Sequence, residues 1–586
     1  MAFDNLTTSG INFLVNTYLN NEYEKKLTPL QARITKYNSL SSVYTSLLQK
    51  IDSFKSKLSN LKTTGSASPF SAKVASSSNT DFLTATASSG AEIGGFSLRI
   101  KQLAKNDLLI SLDKSSEAAS SITSPGEYTF TIKSGDGEGG QFSSKVTVSL
   151  TASDFTNGII SNKKLAEKIS KAINEDKAVV LSNSMSGSTS SSGSFKINIG
   201  GSETTINYSA GSYESVIDSI VSQLNSTGGV AAEKIVDGSN VRLRLTVTDS
   251  SKYISISGDT GSLLNELGIS VTKEKGASGL VTSTSFSPSS GLTQISLTST
   301  QSGSGFKIED ISDTSGNLLA SFGLNLGTNR TAYVQNQTGE DTAGYVHQLT
   351  ALNSKFAFNG LEIERFSNTI SDLVTGVTIS LKSLMTEDDP DVTVNVNVDV
   401  KSIRSKIEEF ITNFNDLYTY IKSNSKTTEG KRGVLLGNSS ASSLASILST
   451  AAYSPVSGIS SSEINTLSEL GITFDTQNGL SISNSNQLDN AITSNSAQVE
   501  ALFNSDSGLA NTLYDKVKPY TGTGGYIDKL KSSLKTNVDY LNDSIESTKK
   551  RIEKSADILR QNYYQLQMQL ASLLSSSGNF NSDIFM

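Results

Sequence analysis

Residues 538–574 read VDYLNDSIESTKKRIEKSADILRQNYYQLQMQLASLL. Apolar residues fall at Val538, Leu541, Ile545, Ile552, Ala556, Leu559, Tyr563, Leu566, Leu570 and Leu573, in steps of three and four, with Thr548 filling one gap and two steps of four around Ile552. That spacing is a heptad seam with one stutter. Near the other end, Tyr23, Leu27, Leu30, Ile34, Tyr37, Tyr44, Leu48 and Ile51 step the same way, with Ser41 at one seam position. Leu40, Leu47, Phe54 and Leu61 add a second column and broaden the apolar face. Pro29 falls in the first turns, where its missing N–H costs least. Each segment predicts a helix of roughly 60 Å. A stripe that long needs a partner along its length. The seam alone favours an intramolecular pair over a bundle between subunits.

Composition narrows the rest. Of 586 residues, 36% are hydrophobic and 18% charged. Both values are low for a compact enzyme and favour turn-rich β modules. The length suggests about three to five domains. The net charge of −7 leaves no basic footprint for nucleic acid. Cysteine is absent, which excludes disulfides, thiolate metal sites and cysteine nucleophiles. The first residues carry no basic region ahead of an apolar stretch and no clear cleavage site. No apolar run reaches the length of a membrane span, so membrane insertion is not expected.

In chain order, residues 1–20 read as disordered, or as an extension that orders on assembly. The first long helix is expected from about Glu22 to Leu61. From Phe70 the period becomes two: Phe82, Thr84 and Thr86, then Phe96, Leu98 and Ile100. After a serine-rich linker at 115–124, Tyr128, Phe130 and Ile132 alternate, DGEGG (136–140) turns, and Val146, Val148 and Leu150 alternate. A helix follows with Leu165, Ile169, Ala172 and Ile173 on one face. The same order returns with Phe195, Ile197 and Ile199, then a strand over 205–208, then a helix at Val216, Ile217, Ile220 and Leu224. LLNELGI (263–269) is echoed by LLASFGL (318–324). These are two or more copies of a strand–strand–helix module, the later ones with a trailing strand pair. Residues 355–400 return to strands. Ile403, Ile407, Phe410, Ile411, Phe414, Leu417, Tyr418 and Ile421 then predict a helix. Further helices are expected at 433–450 and from Leu488 to Phe503, with a hairpin through QNG (477–479) between them. Helices outside, strands inside and repeats innermost put both termini at one end of a rod.

Nothing in the sequence points to catalysis. His347 is the one histidine and reads as a structural or surface residue, on a short helix. Asp388, Asp389 and Asp391, and likewise Glu309, Asp310 and Asp313, lack the spacing of a calcium loop and read as solvated turns. DGEGG lacks the Lys-Ser/Thr and helix start of a phosphate loop.

Several stretches, in order, resemble the flagellar filament cap (hook-associated protein 2) family. FSAKVASSSNTDFLTATASSGAEIGGFSLRIKQLAK (70–105) is similar to its Ser-Asn turn, Thr-Ala-Thr strand and strand ending in Gln-Leu-Ala. FAFNGLEIERFSNTISDLVTGVTISL (356–381) places Arg365, Ser367, Asn368, Asp372, Gly376 and Thr378 on the family pattern, with Phe366 between Arg and Ser. FITNFNDLYTYI (410–421), LSELGITFDTQNGLSI (467–482), VEALF (499–503) and RQNYYQLQMQLASLL (560–574) resemble later family elements. The matches cover roughly the first 110 and last 235 residues. Residues 115–350 match only in kind.

The resemblance implies a multidomain α+β fold. Long coiled-coil helices come from both termini, with a mixed helical leg domain and β-rich head domains inserted centrally. The expected divisions are 1–45 with 525–586, flexible until assembled; 46–75 with 400–524; 76–114 with 350–399; 115–280; and 281–349. It further implies a non-enzymatic protein of the flagellum tip that needs no cofactor or metal. Export would follow the flagellar type III route without a cleaved signal. The implied partners are further copies of itself (about four to six), flagellin, the hook-associated junction proteins and an export chaperone, with GNFNSDIFM (578–586) as the place for chaperone contact. Tyr23, Leu27, Leu30, Ile34, Tyr37, Leu541, Ile545, Ile552, Leu559, Leu566 and Leu570 are the expected filament or oligomer contacts. Arg365, Ser367, Asn368 and Gly376 are expected to be structural. The alternatives are a junction protein or flagellin variant, and a surface adhesin that uses the central repeats; flagellins lack ERFSNTISDLVTGVT (364–378).

Overall fold

The computed structural model describes residues 7–336, 341–427 and 432–576. The proposed chaperone segment lies outside them. The chain forms two compact units, one of Met1–Val74, Ser88–Gly90 and Asn397–Met586, the other of Ala75–Ala87 and Ala91–Val396. In chain order the helices are α1 (Thr8–Lys26), α2 (Thr28–Leu61), α3 (Asn162–Glu175), α4 (Tyr213–Thr227), α5 (Leu263–Glu266), α6 (Val400–Asn424), α7 (Ser439–Tyr453), α8 (Ser485–Ser494), α9 (Ser496–Asn504), α10 (Leu509–Val517) and α11 (Tyr526–Ser576).

The first unit is helical, and its core gathers around α2 and α6. All eight α6 residues picked out by spacing are buried. Phe54 of α2 sits 5.9 Å from Phe410 and 6.1 Å from Phe414, ring to ring. Phe503 closes the cluster at 5.6 Å from Phe410 and 5.2 Å from Phe70. Asp399 caps α6 by accepting the Ser402 N–H at 2.9 Å. The hairpin Ile472–Asp475/Gly479–Ile482 turns as expected, with Asp475 accepting the N–H groups of Gln477 and Asn478.

Three expectations need correction here. Residues 8–20, part of the stretch read as disordered or as an extension that orders on assembly, lie in helix α1, begun by Thr7, whose Oγ1 accepts the Gly10 N–H at 3.1 Å. The single helix over 22–61 is two, meeting at Leu27–Thr28. Proline in a helix interior would clash with the preceding turn, so the chain restarts with Pro29 in the first turn of α2. The helix expected from Leu488 to Phe503 likewise breaks at Asn495 into α8 and α9.

The second unit is built from strands. A five-stranded sheet runs in the order Lys73–Ser77, Val392–Val398, Gly94–Gln102, Ser354–Phe358, Leu361–Arg365. A three-stranded sheet runs Leu83–Ala87, Val377–Leu381, Thr369–Val374. Leu98, Ile100, Phe356, Ile379 and Val394 share one buried cluster. The alternation of Val392, Val394, Val396 and Val398 buries one face and leaves the polar partners outside.

The remainder of this unit is one fold written twice, the second copy nested in the first. The outer copy has a lead strand Asn106–Ile110, a hairpin Gly126–Gly135/Gln141–Leu150, α3, a hairpin Val281–Phe286/Leu292–Ser302 and a strand Ile308–Ser315. The inner copy has Val179–Leu181, Gly193–Ile199/Ser202–Tyr208, α4, Val230–Asp237/Asn240–Val247 and Tyr253–Ser257. The pairings correspond. In each copy the lead strand pairs with the last strand of the second hairpin, and the final strand pairs with the first strand of the first hairpin, all antiparallel. Serines cap both helices: Ser161 accepts the Lys164 N–H and Ser212 the Ser215 N–H. The inner copy enters between α3 and the second hairpin of the outer one. Each copy has its own buried apolar cluster. The echoed heptapeptides end the two copies with the same cap. Ile269 donates to the Leu264 carbonyl at 2.8 Å and Gly268 to Asn265 at 3.1 Å; Leu324 donates to Leu319 at 2.9 Å and Gly323 to Ala320 at 3.1 Å. Glycine is needed because φ is +65° and +69° at the two positions.

A substitution pair tests the cap. A Cβ at Gly323 would lie 2.7 Å from Leu112 Cγ and 3.1 Å from Ala343 Cβ, whereas Gly291, also at positive φ, faces open space. Gly291→Ala should cost about 1 kcal/mol from backbone strain alone. Gly323→Ala should cost at least about 1 kcal/mol more through overpacking. Urea denaturation of the two variants reads the difference; equal costs would show that the Gly323 cap is loosely packed.

Candidate assembly surface

At about 1.5 Å per residue, the 51 residues of α11 span roughly 75 Å. The two N-terminal helices lie antiparallel along it. Lys55 Nζ donates to Thr521 Oγ1 at 2.8 Å just before α11 begins, and the Tyr23 hydroxyl donates to Glu553 at 3.1 Å near its middle. Ile11 and Val15 pack on Ala556, flanked by Tyr18, Leu19, Leu559, Tyr563 and Tyr564. Ala556 lets α1 approach closely at that point. Burial raises the Tyr23 hydroxyl pKa first, and the Glu553 carboxylate beside it raises it further. On the outer face of α11, Lys535–Asp539 and Glu546–Lys550 form one-turn ion pairs at 2.8 and 2.6 Å.

The seam residues divide by depth. Leu27, Leu541 and Ile552 are buried between the helices. Tyr23, Leu30, Ile34, Tyr37, Ile545, Leu559 and Leu570 are half-buried. Leu566 is exposed. A surface groove of about 370 Å³ runs between α2 and α11, lined by Tyr37, Ser41, Leu534 and Val538 among others. Outside the pair, Phe13, Tyr540, Met568 and Leu573 stand 65–70% exposed, and Ile558 half exposed. Phe13 lies on α1, and the other four are spread along α11. Ile11 and Val15 were not among the seam residues expected from the sequence, although Ile11, Val15, Tyr18 and Leu19 already follow helical periodicity there.

The four expected structural residues lie together in the two-sheet region. The Asn368 side chain makes a two-way bond with one residue, accepting the Ala104 N–H at 2.7 Å and donating to the Ala104 carbonyl at 2.9 Å. Ser367 accepts the Thr369 N–H at 2.9 Å, and Arg365 Nε reaches Asp372 at 2.9 Å. Gly376 has φ +74° in the turn between paired Val374 and Val377. Phe366 seats on two glycines: a Cβ at Gly303 would meet its Cα at 2.4 Å, and one at Gly305 its ring at 2.7 Å. Its ring also meets Phe306 edge-on at 6.2 Å.

The acidic groups act within the fold. Asp389 accepts from the Thr386 N–H and hydroxyl, Asp391 pairs with Arg99 at 2.7 Å, and Asp310 with Lys133 at 3.1 Å. Asp313 accepts the N–H groups of Leu319 and Ala320. His347 lies in a bend and not on the expected helix, and its carbonyl accepts from Arg330. Burial, and Lys105 next, hold its pKa down. Among the described residues no group of three or more histidines and carboxylates is arranged to hold a metal ion.

Paired terminal helices, a helical core joining both ends of the chain, and β modules nested between them define a multidomain α+β protein with several exposed apolar side chains on its end helices. Residues 10–107 match the family model for the flagellar hook-associated protein 2 N-terminus, and residues 351–574 that for its C-terminus, together more than half of the chain. The chain belongs to the flagellar hook-associated protein 2 family. It is 26% identical over 371 residues to the A-type protein of Pseudomonas aeruginosa, covering 61% of this chain and 76% of that one. To the B-type protein of the same species it is 28% identical over 353 residues, covering 56% and 70%. To the Salmonella typhimurium protein it is 26% identical over 248 residues, covering 40% and 52%. Among solved structures, the flagellar cap protein domains of Escherichia coli overlap 84% of this chain and 99% of that one, at 18% identity and a TM-score of 0.43, too low to bear on arrangement or function.

The α1–α11 contact predicts a separable lock. Ile11→Ala combined with Val15→Ala should remove amide-exchange protection from residues 8–26 and leave α6 as protected as before, since the α6 core shares no residue with this cluster. Undiminished protection of α1 would place its stability elsewhere.

Proposed function

We propose that this protein is a non-enzymatic structural cap at the distal end of the bacterial flagellar filament, where it promotes flagellin folding and insertion and prevents flagellin loss. The observation that carries this reading is the match of residues 10–107 and 351–574 to the family, supported by exposed apolar side chains on the terminal helices. Tyr23, Leu27, Leu30, Ile34, Tyr37, Leu541, Ile545, Ile552, Leu559, Leu566 and Leu570 belong to the element that meets the filament. Half-buried and exposed members of that set contact filament subunits, and buried members hold the pair in shape. The β modules and residues 402–421 supply contacts between copies in a plate of about four to six subunits. The proposed divisions are the terminal helices 1–45 with 525–586, the helical leg 46–75 with 400–524 and the two-sheet head 76–114 with 350–399; the expected separate modules 115–280 and 281–349 are corrected by the nesting, since the Val281–Phe286/Leu292–Ser302 hairpin pairs and packs with the outer copy. Export by the flagellar type III route, a chaperone on the way, and junction proteins at the filament base complete the proposed set of partners.

The test is a triple substitution, Leu566→Lys, Met568→Lys and Leu573→Lys, introduced into a strain lacking the wild-type chain. All three residues are exposed, so folding should be unchanged by circular dichroism. Filaments should be short, and flagellin should accumulate in the medium at least several-fold over wild type, with cap retention weakened about tenfold if about 1.4 kcal/mol of contact is lost. Full-length filaments without leaked flagellin would overturn the assignment of this face to the filament.

A further inference from the structure

Capping leaves the joint between the two nested copies without a task. The family models leave residues 108–350 unmatched, and the whole joint falls in that interval. The chain crosses from outer to inner copy around Asp176–Ala178 and returns around Lys275–Ala277. The two crossings touch: a Cβ at Gly276 would lie 2.6 Å from the Asp176 carbonyl oxygen and 2.7 Å from Lys177 Cα. The Asp176 carboxylate accepts the Ser144 hydroxyl and the Ala277 N–H, both at 2.7 Å, and its carbonyl accepts the Ser278 hydroxyl at 2.6 Å. Strand Val271–Lys275 pairs with Tyr253–Ser257 of the inner copy and, in parallel, with Gln141–Leu150 of the outer one. The joint is thus pinned from both sides.

Beside it opens a cleft of about 480 Å³, within the usual size range of small-ligand sites. Thr147 and Ser149 of the outer copy and Thr246 of the inner copy line it, together with the cations Lys168, Lys171, Lys177 and Arg244. These cations are neutralised to different extents. Lys168 shares Asp154 with Lys164, Lys171 reaches Glu175 only at 3.9 Å, and Arg244 meets Glu233 at 3.3 Å on an exposed surface. Lys177 has no ionic partner among the described residues. Of the two carboxylates in the lining, Asp176 is taken up in the joint and Glu175 faces Lys171. No aromatic side chain lines the cleft, so recognition by ring stacking is absent. Hydroxyl donors and cations lining one cleft are the chemistry that holds tetrahedral oxyanions. A cationic cleft on a chain of net charge −7 also concentrates anions locally.

We propose that the cleft between the nested copies binds an anionic oligomer through its sulfate or phosphate groups. Both copies contribute residues, so the site exists only where one is inserted in the other. Binding here is separate from capping and does not depend on it.

The experiment uses the full chain and two fluorescent probes, a sulfated heparin tetrasaccharide and inorganic tripolyphosphate, followed by anisotropy at two salt concentrations. At least one probe should bind and weaken as salt rises. Lys177→Glu with Arg244→Glu should lower affinity at least tenfold, whereas Lys252→Glu with Lys382→Glu, equal in charge change, should alter it less than twofold. If the double glutamate variant fails to fold, Lys177→Gln with Arg244→Gln replaces it, with a threefold loss expected. Binding of the tetrasaccharide alone assigns a sulfated glycan; binding of tripolyphosphate alone assigns a phosphate source. No binding of either probe, or equal losses in the cleft and control variants, overturns the proposal.

Discussion

The cluster of Phe54, Phe70, Phe410 and Phe503 ties residues from the first seventy of the chain to residues beyond 400. Each ring pair contributes about 0.5–1.5 kcal/mol beyond its buried area. The larger consequence is topological: once the two ends share one core, everything between them is an insertion. Loop-closure entropy rises only with the logarithm of length, by about 0.6 kcal/mol per doubling. A long insertion is therefore tolerated when its two ends already lie side by side and it folds on a core of its own. The crossings around Asp176–Ala178 and Lys275–Ala277 meet the first condition, since Lys177 and Gly276 are in contact. The separate cluster of Phe195, Ile217, Leu243 and their neighbours meets the second.

The same constraint explains which parts of this fold were legible in the sequence. Elements whose apolar face meets one partner repeat with the period of that partner. The α6 residues, the terminal seam and the Val392–Val398 alternation were therefore readable. The strand–strand–helix repeat was readable too, but not its nesting. Linear order places Val281–Phe286 after the inner copy, while its pairing and its packing on α3 belong to the outer one. Helix α1 was missed because Asn and Thr interrupt a stripe of only a few apolar residues, two of which are fully buried. The bend at His347 comes from long-range contacts, among them the Arg330 bond to its carbonyl. The cationic cleft had no signal at all in sequence spacing, since Lys168, Lys177 and Arg244 converge only through the joint.

On the terminal helices, one stripe performs two tasks along its length. Toward the start of α11, α2 covers the stripe, and Leu541 is buried. Further on, α1 takes over, with Ala556 giving the close approach that Ile11 and Val15 require. Past Tyr563 and Tyr564, Leu566 and Leu573 continue the stripe and stand exposed among the described residues, as does Met568 on another side of the helix. A sequence selected only for a stable intramolecular pair would gain from polar residues at these last positions, because exposed leucine and methionine contribute nothing to folding there and invite association. Retaining them is consistent with a partner outside the chain. A pair whose far turns expose apolar side chains can keep its fold while those turns exchange one neighbour for another.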